Sequence, residues 1–77
     1  SLKRHDRNQA VRSRVRTFVK RVRESIETRD LSEATVRLQS AARAIDKAVT
    51  KGILHRNTAA RKISRLTRAV RKLTASA

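Results

Sequence analysis

Residues 51–73, KGILHRNTAARKISRLTRAVRKL, decide the fold, because they hold the end of one helix, a turn and a long amphipathic helix. The apolar positions recur at steps of three or four residues, on one side of an α-helix: Ile63, Leu66, Val70 and Leu73. The opposite side is cationic: Arg61, Arg65, Arg68 and Lys72. No acid occurs from residue 51 to residue 77. A wet helical face without acids indicates an anionic partner, which we interpret as RNA.

Length and composition limit the fold to a small helical domain. A chain of 77 residues makes one domain and buries only roughly 60% of the surface that its unfolded form exposes. Cysteine and proline are absent and Gly52 is the only glycine, so turn signals are scarce and nearly all of the chain should be helix. No apolar run approaches the roughly 20 residues that span a bilayer. We expect a soluble, intracellular protein.

The net charge of +15 is divided unevenly along the chain. Residues 1–23 hold nine basic residues and one acid, a net of +8; residues 51–77 hold eight basic residues and no acid, also +8. Residues 24–50 hold four basic residues and five acids, a net of −1. Fifteen of the 21 cations are arginine, which suits bidentate phosphate contact. This division predicts that the two terminal segments face a polyanion and the middle one does not.

The first basic segment contains an arm and then a long helix. Residues 1–10 lack an apolar stripe, so we expect a basic arm that is disordered when free and becomes helical on phosphate. A helical apolar stripe follows, with cations at the other positions: Val11, Val15, Phe18, Val22 and Ile26. This predicts a helix over about 3–28, roughly 39 Å long.

Capping signals separate two further helices. Asp30 followed by Glu33 resembles a capping box and predicts a second helix over 31–50, with a mixed-sign wet face. Gly52 suits the left-handed position after that helix. Asn57 is the expected N-cap of a third helix over about 56–74.

Short connections between three amphipathic helices predict an all-α, three-helix up-down-up bundle with a long basic first helix. The first and third helices would then be parallel and adjacent, so that their cationic faces merge into one surface. The neutral second helix would lie behind them or at the end away from the RNA.

The candidate site is a set of outward-facing basic and polar residues on the arm, the first helix, the second turn and the third helix. Such residue types bind phosphate by charge and by hydrogen bonds, with little base readout. The predicted RNA-binding residues are Lys3, Arg4, Arg7, Asn8, Arg12, Ser13, Arg14, Arg16, Thr17, Lys20, Arg21, Arg23, Lys51, His55, Arg56, Asn57, Thr58, Arg61, Lys62, Ser64, Arg65, Arg68 and Lys72.

No residue pattern in the sequence indicates a catalytic, metal or cofactor site. Neither His5 nor His55 has a cysteine or a helically spaced carboxylate beside it, so His55 is expected to contact backbone or phosphate near its helix start. Phe18 lies on the apolar stripe and is assigned to the core, not to base stacking. No nucleophile has a base beside it, so the chain is predicted not to be an enzyme.

Two alternatives of other classes stay open at this level. A nucleoid-type protein that binds duplex DNA through its backbone shares the charge pattern, but no wedge residue or recognition-helix turn is present. A cationic element lying on anionic membranes is disfavoured by the absence of Trp and by the acids of the middle segment.

A resemblance to a known family favours RNA binding over these alternatives. The segment Lys51-Gly52-Ile53-Leu54-His55-Arg56-Asn57-Thr58-Ala59-Ala60-Arg61-Lys62 with Ser64-Arg65-Leu66 resembles the signature of bacterial small-subunit ribosomal protein twenty. Arg7-Asn8, Ala10, Arg12-Ser13, Arg16-Thr17 and Lys20 resemble its N-terminal half. Ile63 stands where many members carry a cation, which fits the apolar stripe. The basic arm is shorter than is typical of the family.

The resemblance implies a three-helix bundle that binds small-subunit (16S) ribosomal RNA early in assembly. The implied contacts are the 5′ domain and the long stem of the 3′ minor domain. It further implies a monomer with few or no protein contacts, in a cytoplasmic ribosome, with an organellar ribosome left open.

Overall fold

The computed structural model describes residues 2–76, with side chains from His5 to Ser76; Ser1 and Ala77 lie outside the described residues. The helices are α1 (Leu2–Glu27), α2 (Leu31–Thr50) and α3 (Arg56–Ser76). Their bounds differ from the sequence expectation by two residues at most. The predicted all-α bundle of three helices is confirmed, and no strand occurs between residues 2 and 76.

The basic arm differs from its predicted disorder. Helix α1 begins at Leu2, so the described part of the arm is helical. The arm contains no glycine or proline, and extending an existing helix adds one hydrogen bond for each residue fixed. A continuous helix therefore needs no apolar stripe in its first turns.

Helix α1 ends in a Schellman motif built on an arginine. The amide of Asp30 donates to the carbonyl of Ser25 at 3.0 Å, and the amide of Arg29 donates to that of Ile26 at 3.1 Å. Arg29 holds the left-handed position with φ 56°, where glycine is usual. The chain thus turns sharply into α2 at the cost of an unfavourable backbone conformation.

Helix α2 begins at the predicted cap, although only half of the capping box forms. The carboxylate of Asp30 accepts from the amide of Glu33 at 3.1 Å. The Glu33 carboxylate does not return the bond, because it pairs with Nε of Arg37 at 2.9 Å. The amide of Asp30 is already bound by Ser25 in the preceding Schellman motif.

The second turn confirms the predicted left-handed conformation of Gly52 but differs from the predicted N-cap of α3. Gly52 has φ 74°, and the amide of Ile53 donates to the carbonyl of Ala48 at 2.9 Å, as in a Schellman motif. The N-cap of α3 is His55, not Asn57. The carbonyl of His55 accepts from the amide of Ala59 at 3.0 Å, and its Nδ1 accepts from the amide of Asn57 at 3.1 Å. Asn57 is therefore already inside the helix.

The core follows a heptad rhythm on all three helices. Its positions alternate in steps of four and three: 11, 15, 18, 22 and 25 on α1; 34, 38, 41, 45 and 48 on α2; 59, 63, 66, 70 and 73 on α3. Such spacing favours nearly antiparallel or parallel packing at about 20°. Ser25 and Ala59 occupy buried positions of this pattern that the apolar stripes alone do not reveal.

Helix α2 lies at the centre of the bundle. Its alanines Ala34, Ala41 and Ala48 recur every seven residues and are fully buried. Helix α1 packs most extensively on α2, α3 packs less on α2, and the direct α1–α3 contact is the smallest. The Cα extents of 48 × 21 × 13 Å describe an elongated, flattened bundle. The expected adjacency of α1 and α3 is present, but their direct contact is small because both helices pack mainly on α2.

Candidate nucleic-acid interface

The arginines and lysines of α1 and α3 project into solvent. Every one of them with a described side chain is exposed, from Arg7 to Lys72. Among the described side chains, the ion pair present is that of Glu33 with Arg37 on α2. The cations of α1 and α3 whose side chains are described therefore make no ion pair with a carboxylate, and their field is available to an external anion.

Arg37 is fixed within the protein. Its Nη1 donates to the backbone carbonyl of Arg21 on α1 at 3.1 Å, while Nε pairs with Glu33. This side chain thus ties α2 to α1.

A groove between α1 and α3 brings predicted site residues together. It has a volume of about 250 Å³ and is lined by Arg12, Arg16 and Lys62 around Val15 and Leu54. Leu54, from the α2–α3 connection, and Val15 form its apolar lining. Three cations from two helices therefore converge on one concave surface without an acid in its lining. We call these five residues the α1–α3 groove.

A second concave surface lies beside the second turn. Arg7 and Asn8 on α1 line it with Lys51 and Ile53 from the α2–α3 connection, in a volume of about 420 Å³. It too has no acid in its lining. Arg7, Asn8 and Lys51 are far apart in the sequence, and the up-down-up topology brings these predicted site residues together.

The far end of the same two helices is different in charge. A concavity of about 360 Å³ there includes Glu27 together with Arg29 and Lys72, around Ile26 and Leu73. Glu24 is also exposed on this part of α1. The cationic character is therefore strongest along the N-terminal half of α1 and the first turns of α3.

The outer stripe of α3 faces away from the bundle, as predicted. Its members are exposed and lie opposite the buried heptad positions: Arg61, Arg65, Arg68 and Lys72. Because Lys62 lies on the flank of α3 that faces α1, this helix presents cations both to the groove and outward. Its charge is thus available on two sides.

Three of the predicted site residues make contacts within the protein. Thr17 donates its hydroxyl to the carbonyl of Ser13 at 3.0 Å, so this hydrogen is engaged inside α1. His55 contacts backbone at the helix start, as expected. The guanidinium carbon of Arg21 lies 5.8 Å from the ring centroid of half-buried Phe18, a cation–π distance.

The remaining predicted residues lie on the surface without a further distinguishing contact. The side chains of Lys3 and Arg4 lie outside the described side chains. Those that are exposed on α1 and α3 are Ser13, Arg14, Lys20, Arg23, Arg56, Asn57, Thr58 and Ser64.

Comparison with known proteins agrees with this architecture. Residues 1–71 match the sequence model of a family described as ribosomal protein S20. The chain belongs to this family.

Curated relatives cover most of the chain at high identity. The chain is 52% identical to small ribosomal subunit protein bS20 of Geobacter metallireducens over 67 residues, which is 87% of this chain and 77% of the relative. It is 49% identical over 72 residues to bS20 of Pelotomaculum thermopropionicum, with 94% and 82% covered. The bS20 protein of Nitratidesulfovibrio vulgaris is 48% identical over 73 residues, with 95% and 84% covered.

Membership in the S20 family confirms several sequence expectations. The chain is a structural protein of the small ribosomal subunit, associated with ribosomal RNA, and not an enzyme. Its predicted cytoplasmic, ribosomal location follows from the same membership. The alternatives of a nucleoid protein and of a membrane-surface element are thereby set aside. Separately, no helix within residues 2–76 is both long and apolar enough to cross a bilayer.

Ile63 belongs to the apolar side of α3. It is half-buried and packs against the core cluster that contains Ala59 and Ile45. The expectation that Ile63 serves the apolar stripe is confirmed. Sequence reasoning did not identify Val15 and Leu54 as lining the cationic groove, since apolar residues carry no charge signal.

Proposed function

We propose that the cationic surfaces of α1 and α3 neutralise RNA phosphates where separate RNA helices come together. The observation that supports this most is the set of exposed cations on both helices, which converge in the acid-free lining of the α1–α3 groove. Holding RNA helices close requires countercharge between them, and arginine forks provide it bidentately.

Recognition on this proposal depends mainly on RNA shape. The surface offers cations and small polar groups for phosphate and sugar, and its single aromatic residue, Phe18, is half-buried in the bundle. Sequence-specific RNA readout relies on exposed aromatic platforms and base-edge contacts. We therefore assign the predicted RNA-binding residues to backbone contact.

We further propose the 5′ domain and the long 3′ minor-domain stem as the RNA segments contacted. The two cationic directions of α3, toward the groove and outward, support a protein placed between two RNA elements. On this proposal the whole chain acts as one domain and as a monomer, with few or no protein contacts.

A competition experiment tests the partner. The full chain is bound to structured small-subunit ribosomal RNA at physiological salt and challenged with equal phosphate concentrations of duplex DNA or of anionic vesicles. The proposal expects the RNA complex to persist in both cases. Displacement by either competitor would contradict it.

A charge-removal experiment tests the surface. The triple variant Arg61→Gln/Arg65→Gln/Arg68→Gln should lose roughly hundredfold in RNA affinity, because each of the three charge-assisted contacts contributes on the order of 1 kcal/mol. The matched control removes three exposed cations outside the proposed surface: Arg29, Arg43 and Lys47. Arg37 is unsuitable as a control because it joins α2 to α1. Equal losses in both triples would refute the assigned surface.

A further inference from the structure

We infer that the α1–α3 groove is a phosphate seat whose occupation strengthens the packing of α1 with α3. The inference rests on the proposed function and names the part of the surface where an RNA phosphodiester group links two helices. Its ligand class is the phosphodiester backbone of RNA, a chain of singly charged phosphate groups.

The lining of the groove fits a phosphodiester. Arg12 and Arg16 stand one turn apart on α1, and Lys62 approaches from α3. All three are exposed, so they reach an anion without the desolvation cost of buried charge. Val15 and Leu54 form the apolar part of the lining. An anion here contacts both helices at once.

The energetic consequence follows from the arrangement of the helices. Both α1 and α3 pack mainly on α2, and their direct contact is the smallest in the bundle. Arg12 and Arg16 of α1 line the same groove as Lys62 of α3, and these like charges repel one another. A bound phosphate attracts the cations of α1 and the cation of α3, and so offsets the repulsion between the two helices. Because a ligand that binds the folded bundle and not the unfolded chain stabilises the fold, phosphate should raise the stability of the bundle.

The concave surfaces on either side of the groove indicate in which direction a bound phosphate chain would continue. Toward the N-terminus of α1, the groove is followed by the acid-free surface of Arg7, Asn8 and Lys51. Toward the opposite end, the concavity beside the same two helices includes the exposed carboxylate of Glu27 with Arg29 and Lys72, so it is less favourable to phosphate than the acid-free surface. A polyphosphate chain that extends beyond the groove therefore continues toward Arg7, not toward Glu27.

Thermal unfolding of the full chain without RNA tests the seat directly. Sodium tripolyphosphate is compared with sodium chloride at equal ionic strength, which separates binding from general screening. The inference expects a larger rise in Tm with tripolyphosphate. In the variant Arg16→Gln/Lys62→Gln this phosphate-specific increment should fall by more than half. The substitutions relieve repulsion, so the variant is expected to fold.

A matched control removes the same charge elsewhere. The variant Arg43→Gln/Arg71→Gln loses two exposed cations that do not line the groove, and it should keep the increment. Equal loss in both variants, or no increment in the original chain, would overturn the inference. Ribosomal RNA binding measured on the same samples separates the two hypotheses: a missing increment with intact RNA binding refutes the seat alone, whereas absent RNA binding refutes the proposed function.

Discussion

Arg29 holds a backbone conformation that suits glycine better than arginine. It closes the Schellman motif between α1 and α2 with φ 56°. In this region the Cβ of an L-residue approaches its own carbonyl oxygen, which costs about 1–2 kcal/mol. Schellman motifs usually have glycine at this left-handed position, as Gly52 does after α2.

Replacing Arg29 with glycine should therefore stabilise the free chain. We expect Arg29→Gly to raise the free energy of unfolding by about 0.5–1 kcal/mol, since the relieved strain exceeds the added freedom of the unfolded backbone. Urea unfolding followed by circular dichroism measures the change. Arg29→Gln removes the same charge but keeps the Cβ, and it should give no such gain. If both variants gain equally, charge repulsion and not strain is responsible.

His55 provides a second prediction at this scale. Its Nδ1 accepts from the amide of Asn57 and so satisfies one of the free donors of the first turn of α3. His55→Ala should lower the free energy of unfolding by about 1 kcal/mol, and His55→Asn should restore most of it. Urea unfolding of the free chain measures this apart from RNA binding. A loss in the asparagine variant as large as in the alanine variant would argue against a capping role.

Among the elements, periodicity explains what the sequence predicts well. The three helices and their bounds follow from apolar steps of three and four residues and from Asp30 and Gly52 as punctuation. Ser25 and Ala59 escape this reasoning because a hydroxyl and a methyl group give little hydrophobic signal, although both fit the heptad rhythm. Asn57 is misassigned as the cap because its intrinsic preference does not reveal the nitrogen acceptor on His55.

The distance between α1 and α3 could not be predicted from the sequence, for a different reason. An up-down-up order makes these helices parallel but leaves their separation free. That separation depends on side-chain volumes along α2, where buried alanines recur every seven residues. The sequence therefore predicts which residues are cationic and exposed, but not that Arg16 and Lys62 share a groove.

Ala41 tests the importance of this alanine row. It is fully buried in the larger core cluster with Val22 and Leu66. Ala41→Leu adds volume to a packed helix interface and should lower the free energy of unfolding by about 1–3 kcal/mol. The matched control Ala60→Leu, at an exposed site on α3, should change it by less than about 0.5 kcal/mol. Similar effects of both in thermal unfolding would contradict close packing at Ala41.

For the whole molecule, net charge opposes folding and favours the polyanion. The chain carries +15, while Glu33–Arg37 is the ion pair among the described side chains. We expect the midpoint of urea unfolding to rise as sodium chloride increases from about 0.05 to 0.5 M, because the Debye length falls below the spacing of the surface cations. A fall in the midpoint would mean that attractive ion pairs, not repulsion, dominate the electrostatic free energy.

The same charge makes RNA binding weaken as salt rises. With on the order of eight phosphates neutralised, the logarithm of the association constant should fall with the logarithm of salt concentration at a slope of about −6 to −7. Titrations of the full chain into structured ribosomal RNA at several salt concentrations measure this slope. Screening that stabilises the free protein and counterion effects that weaken its complex thus have the same origin.

The number of phosphate contacts on each helix can then be read from variants. Each cation of α1 or α3 that binds phosphate should reduce the magnitude of the slope by about 0.7–0.9 when neutralised, since one fewer counterion is released. We expect this change for Arg16→Gln on α1 and for Arg65→Gln on α3, and none for Arg43→Gln on α2. An unchanged slope for the α1 variant with a reduced slope for the α3 variant would assign the interface to α3 alone. Equal reductions in all three would place α2 in contact with RNA, and the division of charge along the chain would then not determine which surface binds.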